Sequence, residues 1–306
     1  MAQELSATVR SVTEPEHADR VPPDPAVPAV GAVDEEALVA LCSDVGLAHR
    51  ADDVTRSARV SLRLTRGDAT SRSRLGGIPE VPPGFVWPSW HGRDLGFLAQ
   101  VDLAEAAAVD GETILPHRGL MLFFYDLAEW PSGLSPTHGA GCRVLVVDGD
   151  LATAEVHAPA LRVCPLEISR ELMLPGGWSF QAEELDLTPE ERDAWDELRE
   201  RLAGAQGVEL EETSGGRSAL HRLLGYHEEI GREVEVDCAL AAAGLDAGDV
   251  DVYHAHRATL EADARRWRLL MQVSAEDSDR FERLYVLIRG DELRAGTFDG
   301  TWAVCR

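Results

Sequence analysis

The chain has 306 residues, a formal charge of −25 and no lysine, so apart from histidine every cationic side chain is arginine. A Walker-type phosphate loop, a Schiff-base lysine and a Ser-Lys dyad each require the missing amine and are excluded. The acidic balance argues against nucleic acid as a partner, since such binding is driven by cations displacing counterions. Arg162, Arg170, Arg199 and Arg201 stand scattered among acids and form no basic stripe. Cys42, Cys142, Cys164, Cys238 and Cys305 lie far apart with no C-x-x-C pair, as expected of reduced, buried thiols. The N-terminal residues lack a leader pattern, and no apolar run approaches bilayer length, so the expectation is a cytoplasmic protein with no membrane partner.

Residues 1–32, with the run VPPDPAVPAVG, are too polar and proline-rich to order themselves and read as a disordered tail. From Asp34, DEEALVALCSDVGL predicts a short helix with acids in its first turn, Leu38, Leu41 and Val45 on one face, and Gly46 as its stop. TRSARVSLRLTRGD, from Thr55, alternates at Val60, Leu62 and Leu64 as a half-buried strand does. The next stretch, GGIPEVPPGFVWPSW (Gly76–Trp90), packs four prolines, three glycines and two tryptophans into fifteen residues. It suits neither a regular helix nor a central strand. Two tryptophans are too apolar for a floppy linker, so an ordered loop is predicted, with Trp87 plugging the core and Trp90 nearer the surface.

LGFLAQVDLAEAAA changes from strand to helix near Asp102, and GLMLFFYD and CRVLVVDGD read as buried strands. LRVCPLEISREL continues the β pattern, with Pro165 predicting an edge or a bulge. LTPEERDAWDELRERL is the clearest helix: Thr188 caps it, Pro189 takes the first helical position, Glu191 completes a capping box, and Trp195, Leu198 and Leu202 form a core stripe. GAQGVELEETSGG (204–216) reads as a loop, a further helix covers about 255–266, and the strands WRLLMQVS and RLYVLIRG follow.

LGFLAQVDL (95–103) and WRLLMQVS (267–274) share an apolar-Leu-x-Gln-Val-polar core. Each precedes a strongly apolar strand and follows a glycine turn, Gly76-Gly77-Ile78-Pro79 in one case and Leu224-Gly225-Tyr226 in the other. This predicts an internal duplication within one domain, 33–306, whose halves (about 55–180 and 218–306) are joined by a helix-loop segment 181–217 and share one sheet system. Gln100 and Gln272 then occupy equivalent strand positions, either bridging backbone groups in the core or presenting amides at a cleft.

SRLGGIPEVPPGFVWPSWHGRDLGFLAQVDLAE, followed in order by LPHRGLMLFFYD, HRLLGYHEEI, RRWRLLMQVS and FDGTW, resembles the YwqG-like family, a bacterial domain of unknown function. The resemblance spans roughly residues 55–306 and departs at DSDRFERLYVLI, where relatives read Trp-Gly-Asp-x-Gly. It implies an α+β, mainly β fold, a β-rich roll of mixed or antiparallel strands with peripheral helices, and no established activity.

No catalytic motif is recognisable. His254-x-His256 with Asp249 and Asp251 has metal-ligand residue types, but the two imidazoles point apart on strand or helix, so no metal site is assigned. His221, His227 and Cys238 match no zinc spacing, and His221 is expected to make a structural hydrogen bond. His117, His138, Ser132 and Ser135 lack a nucleophile elbow. The expected function is a non-catalytic module that needs no cofactor and binds a protein or extended peptide. Arg74, Trp87, Trp90, Gln100, Tyr226 and Gln272 are its candidate binding residues. The alternative is a hydrolase-like enzyme with a cleft between the halves, using Asp102, His221 and Asp237.

Overall fold

In the computed structural model the described residues are 33–110, 114–155, 158, 161–208, 221–228, 232–274 and 283–306. The tail 1–32, most of the loop 204–216 and most of the departing turn at 276–284 lie outside them. In chain order the strands are β1 (Arg59–Arg66), β2 (Arg74–Leu75), β3 (Glu80–Val81), β4 (Ser89–Trp90), β5 (Arg93–Asp94), β6 (Gly96–Asp102) and β7 (Leu120–Tyr125). They continue with β8 (Cys142–Val147), β9 (Ala152–Thr153), β10 (Cys164–Met173), β11 (His221–Leu224), β12 (Trp267–Ser274), β13 (Arg283–Arg289) and β14 (Trp302–Cys305). The α-helices are α1 (Glu35–Asp44), α2 (Ala51–Ser57), α3 (Leu103–Asp110), α4 (Phe180–Glu183), α5 (Pro189–Ala205), α6 (Val234–Ala242), α7 (Val250–Ala264) and α8 (Gly290–Ala295).

Ten strands form one sheet in the order β14-β13-β12-β11-β1-β10-β2-β6-β7-β8, with every neighbour antiparallel. This mainly β architecture is the predicted one, and the duplication is visible in its pairing. Arg74 stands opposite Gln100 and Arg222 opposite Gln272. The register between β6 and β7 slips between Phe97 and Ala99, and that between β12 and β13 slips between Leu269 and Met271, one residue on either side of Leu98 and Leu270. The glycine turns also correspond, since Gly76 and Gly77 have φ of 61° and 75° while Leu224 and Gly225 have 60° and 70°. Leu224 therefore holds a left-handed conformation that the first half assigns to glycine.

The two halves are interlocked. Strand pairing assigns β10, which the expected boundary at about 180 left in the first half, to the start of the second; the first strand of each half then crosses the centre, so β1 pairs with β11 and β10 with β2, while β1 and β10 pair with each other. Pro165 is accordingly on a central strand and not on an edge, correcting the sequence expectation. It is tolerated because it is the second residue of β10, beyond the last β1 pair, Arg66↔Leu166. At the far ends the sheet curls back on itself. Cys305 N–H donates to Ser132 O (3.0 Å) and Trp302 Nε1 to Gly133 O (2.8 Å), tying β14 to the segment between β7 and β8.

The inner face holds the main core, including Leu62, Leu64, Leu98, Met121, Phe123, Leu270, Val286 and Ile288. The outer face of the second half, Leu269, Tyr285, Leu287 and Val304, is covered by α6 and α7. The matching outer face of the first half, Phe97, Leu122, Phe124 and Leu145, is covered by the proline-rich loop through Phe85, Trp87 and Trp90. Trp87 lies edge-on to Phe124 at 5.2 Å and donates from Nε1 to Leu95 O at 2.8 Å. The loop thus does for one half what a pair of helices does for the other.

Against α1, α2 and β10 packs the helix α5, whose predicted capping box at Thr188 and Glu191 is formed and whose Trp195, Leu198 and Leu202 are buried. Two elements differ from expectation. Helix α7 begins at Val250, earlier than predicted, because Asp249 caps it by accepting from Asp251 N and Val252 N. Helix α6 has no counterpart in the sequence reading, because Val234 to Ala241 are all buried and leave no amphipathic period to detect.

Replacing Trp87 with alanine removes a ring that seals an apolar sheet face, and a loss of about 3 kcal/mol in unfolding free energy is expected. Urea titration measures it; a loss below about 1 kcal/mol would show that the loop does not hold this face closed.

Candidate functional site

Each half carries the same polar clasp. Gln100 Oε1 accepts from the Glu80 backbone N–H at 2.9 Å, and Gln272 Oε1 accepts from the Glu228 backbone N–H at 2.9 Å. Glu80 is paired with Arg72 (2.7 Å) and Arg74 (3.4 Å), and Glu228 with Arg283 (2.6 Å) and Arg222 (3.1 Å). Both glutamines are fully buried, so they bridge backbone and charge inside the protein and present no amide to a cleft. Of the sequence candidates, Arg74 and Gln100 are brought together here, bonded at 3.2 Å, and Gln272 occupies the symmetric position with Arg222 as the equivalent of Arg74. The correspondence extends one step further: Asp102 N–H donates to Ser73 Oγ (3.0 Å) and Ser274 N–H to His221 Nδ1 (3.2 Å). His221 therefore makes the structural hydrogen bond expected of it.

The three residues proposed for an enzyme have different partners. Asp102 pairs with Arg72 (3.2 Å) and accepts from Ala104 N, while Asp237 lies between Arg232 (2.9 Å) and Arg306. Burial pushes the Asp237 carboxyl up to about 6, against the pull of Arg306 and Arg232. Burial draws His221 down to about 4. His138 accepts from Gly133 N (3.2 Å) and Ser135 caps the 3-10 helix Pro136–Gly141 by accepting from Thr137 N. Burial raises the thiol of Cys142 to about 12 and that of Cys305 to about 11, which disfavours the nucleophilic thiolate. Asp249 is spent on the α7 cap, His254 is exposed on that helix, and among the described residues no group of three or more His, Cys, Asp or Glu could hold a metal.

Trp90 is half-buried, with its ring 4.2 Å from that of His91 and 6.2 Å from that of His138. With Arg93, Glu129 and Pro131 these residues line a cavity of about 540 Å³. Tyr226 donates its hydroxyl to Ser57 O (2.7 Å), and the Arg59 guanidinium lies 4.2 Å over its ring. That contact leads to a larger cavity, which the sequence reading missed.

This cavity measures about 1020 Å³ and opens where three apolar clusters meet, bordered by Leu224 and Leu293 of the inner core, Leu269 under α6 and α7, and Leu38 beside α5. Arg59, Arg170, Arg265, Arg266, Arg268 and Arg294 line it, against Asp34, Glu35 and Asp291. Arg265 is neutralised by Glu261 and Glu184, and Arg266 pairs with Asp291 (2.9 Å) and Asp263 (3.5 Å). Asp34 caps α1 by accepting from Ala37 N (2.9 Å). Among the described residues no carboxylate pairs with Arg59, Arg170, Arg268 or Arg294. Arg268 instead donates to the carbonyls of Arg265 (2.7 Å) and Trp267 (2.9 Å), and Arg294 to that of Gly290 (2.9 Å). Burial, and then the neighbouring charge of Arg59, hold the Arg268 guanidinium below its usual pKa, with Tyr226 and Glu235 opposing the shift and Arg294 adding slightly to it. Arg59 and the exposed Arg294 thus bring like charge to the half-buried Arg268, while the buried Glu235, paired with His227 at 2.9 Å, attracts Arg59 and Arg268 from a distance without an ion pair to either. No sequence window joins residues 59, 170, 268 and 294; the one local trace is Arg268 inside the apolar strand WRLLMQVS.

The family described as "Domain of unknown function (DUF1963)" matches residues 73–306. The chain belongs to this family, as the YwqG-like resemblance implied. The match begins after β1, so Arg59 and the α1 wall of the cavity lie upstream of it. No curated protein matches the chain.

Two expected outcomes follow from the clasps and from His221. Gln100→Leu and Gln272→Leu each strand a backbone donor and should cost about 1–3 kcal/mol, adding to within about 0.5 kcal/mol in the double variant, as read by chemical denaturation. A silent Gln100→Leu beside a costly Gln272→Leu would show that the clasps are not energetically equivalent. His221 is kept neutral by the fold, so its contribution is complete above its unfolded pKa of about 6.5 and is lost as pH falls towards 4, about 3 kcal/mol in all. The raised Asp237 has the opposite slope, its contribution declining as pH rises from about 4 to 6. The His221 effect is therefore read as the difference between wild type and His221→Asn, measured from pH 4 to 7; a difference that does not change with pH refutes it.

Proposed function

We propose that the protein is a binding module whose ligand is an anion held in the arginine-lined cavity. The observation that carries this reading is the convergence of Arg59, Arg268 and Arg294, without carboxylate partners among the described residues, in a chain of net charge −25. A protein with such an excess of acids has no shortage of side chains to neutralise three arginines. Gathering them at a half-apolar cavity with no ion pair of their own, and only the distant Glu235 attracting Arg59 and Arg268, costs stability that an anionic ligand would offset on binding. Guanidinium groups suit this role because their donors form a planar fork that matches an oxyanion and they stay charged when partly buried. A protein or peptide at Trp90 has weaker support, since much of that ring is spent on packing against the outer face of the first half. An acidic partner segment entering the cavity remains within the reading, with the anion as the recognised group.

Removing one of these charges should separate binding from stability. Arg268→Met keeps the aliphatic stem and relieves like-charge repulsion, so the free protein is expected to be as stable as wild type or up to about 1 kcal/mol more stable. Exchanging chloride for phosphate at constant ionic strength should raise the melting temperature of wild type and leave that of Arg268→Met unmoved. A variant destabilised by more than about 2 kcal/mol, with no phosphate effect on wild type, would mean that Arg268 serves the fold alone.

A further inference from the structure

The cavity has a second property that an anion alone does not use. Between its arginines it is walled by Leu38, Val60, Leu172, Leu269 and Leu293, with Ile114, half exposed at 50%, among its lining residues. These side chains come from α1, β1, β10, β12 and α8, so the apolar surface is distributed around the space and is not one stray patch. At about 1020 Å³ the volume far exceeds what an inorganic oxyanion needs and lies at the upper end of the range for organic ligands.

The charged and aliphatic side chains can each be placed along the sheet. Arg268 is the second residue of β12, Arg59 opens β1, and Arg294 is on α8, which directly follows β13, the neighbour of β12. Leu172 is on β10, on the far side of β1, and belongs to the cluster that includes Leu38 of α1. Arg59, Arg268 and Arg294 thus lie towards the β12 side and Arg170 on β10, with aliphatic side chains among them on both sides, Leu269 and Leu293 as well as Leu172 and Leu38.

Resting on the anion-binding reading above, we infer that the ligand is an amphiphile: a phosphate monoester whose head meets Arg59, Arg268 and Arg294 and whose aliphatic body lies along Leu172, Leu38 and Ile114. The dianionic head follows from charge matching, because a carboxylate neutralises one of three converging guanidinium groups and a phosphate monoester neutralises up to two. The aliphatic body follows from the lining, because apolar walls gain nothing from a fully hydrated ion and gain about 0.8 kcal/mol for each methylene they shield from water.

The test is isothermal titration of the full chain with inorganic phosphate and with ethyl, hexyl and decyl phosphate, below their micelle concentrations and at one ionic strength. Affinity should rise about three- to four-fold per methylene until the apolar wall is covered. Ile114→Ser, a change at a half-exposed position that does not threaten folding, should lower decyl phosphate affinity several-fold and leave inorganic phosphate unchanged. Arg268→Met should weaken the whole series at least ten-fold. A flat chain-length series with phosphate still bound overturns the amphiphile and leaves the anion reading standing. Absence of binding by every compound overturns both. Decanoate binding as tightly as decyl phosphate overturns the dianionic head.

Discussion

The ladder between β1 and β10 is the interaction on which the rest of the molecule depends. Eight consecutive residue pairs, from Arg59↔Met173 to Arg66↔Leu166, join the opening strands of two structurally similar halves. Because β1 continues to β11 and β10 to β2, neither half completes its own sheet without the other's first strand. An antiparallel pair is related to itself by a two-fold rotation, so a duplicated unit can meet its copy there without changing its own hydrogen-bond pattern. The mirrored positions of the bulges, the glycine turns and the Gln–Glu–Arg clasps all follow from that relation.

The halves diverge in how they cover the outer face of the sheet. Phe97, Leu122 and Phe124 on one side correspond in register to Leu269, Tyr285 and Leu287 on the other, and both sets need shielding from water. The second half supplies α6 and α7. The first supplies a loop with little regular structure of its own, for which proline is an effective device: a chain already restricted in φ loses less entropy when it is fixed over an apolar surface. The aromatic rings then provide area that two helices would otherwise provide.

A second divergence lies in the wall of the cavity. Arg268 occupies the register position that Gly96 holds in the first half, each lying two residues before its bulge position. At Gly96 a side chain would come within 2.5 Å of Leu127, so that space is already filled by a neighbouring leucine. At Arg268 the corresponding space stays open and gains a cation. One member of the repeat is closed and apolar at this position, the other open and positively charged.

The sequence by itself determined the features that depend on local pattern. The capping box at Thr188, the alternation of Val60, Leu62 and Leu64, the stiffness of the proline loop and the repeat around Gln100 and Gln272 are all encoded within short windows, where periodicity and turn chemistry act directly. Helix α6 escaped that reading because a helix buried all round carries no amphipathic signal, and Pro165 was placed at an edge or a bulge because composition does not reveal which strands flank it. The candidate site was the least legible part. Arg59, Arg170, Arg268 and Arg294 are ordinary arginines in four distant windows, and Arg170 read as one cation among many acids. Only the tertiary structure decides which charges share a cavity and which find a carboxylate, because that outcome depends on distances set by strand order and not on neighbours in the chain.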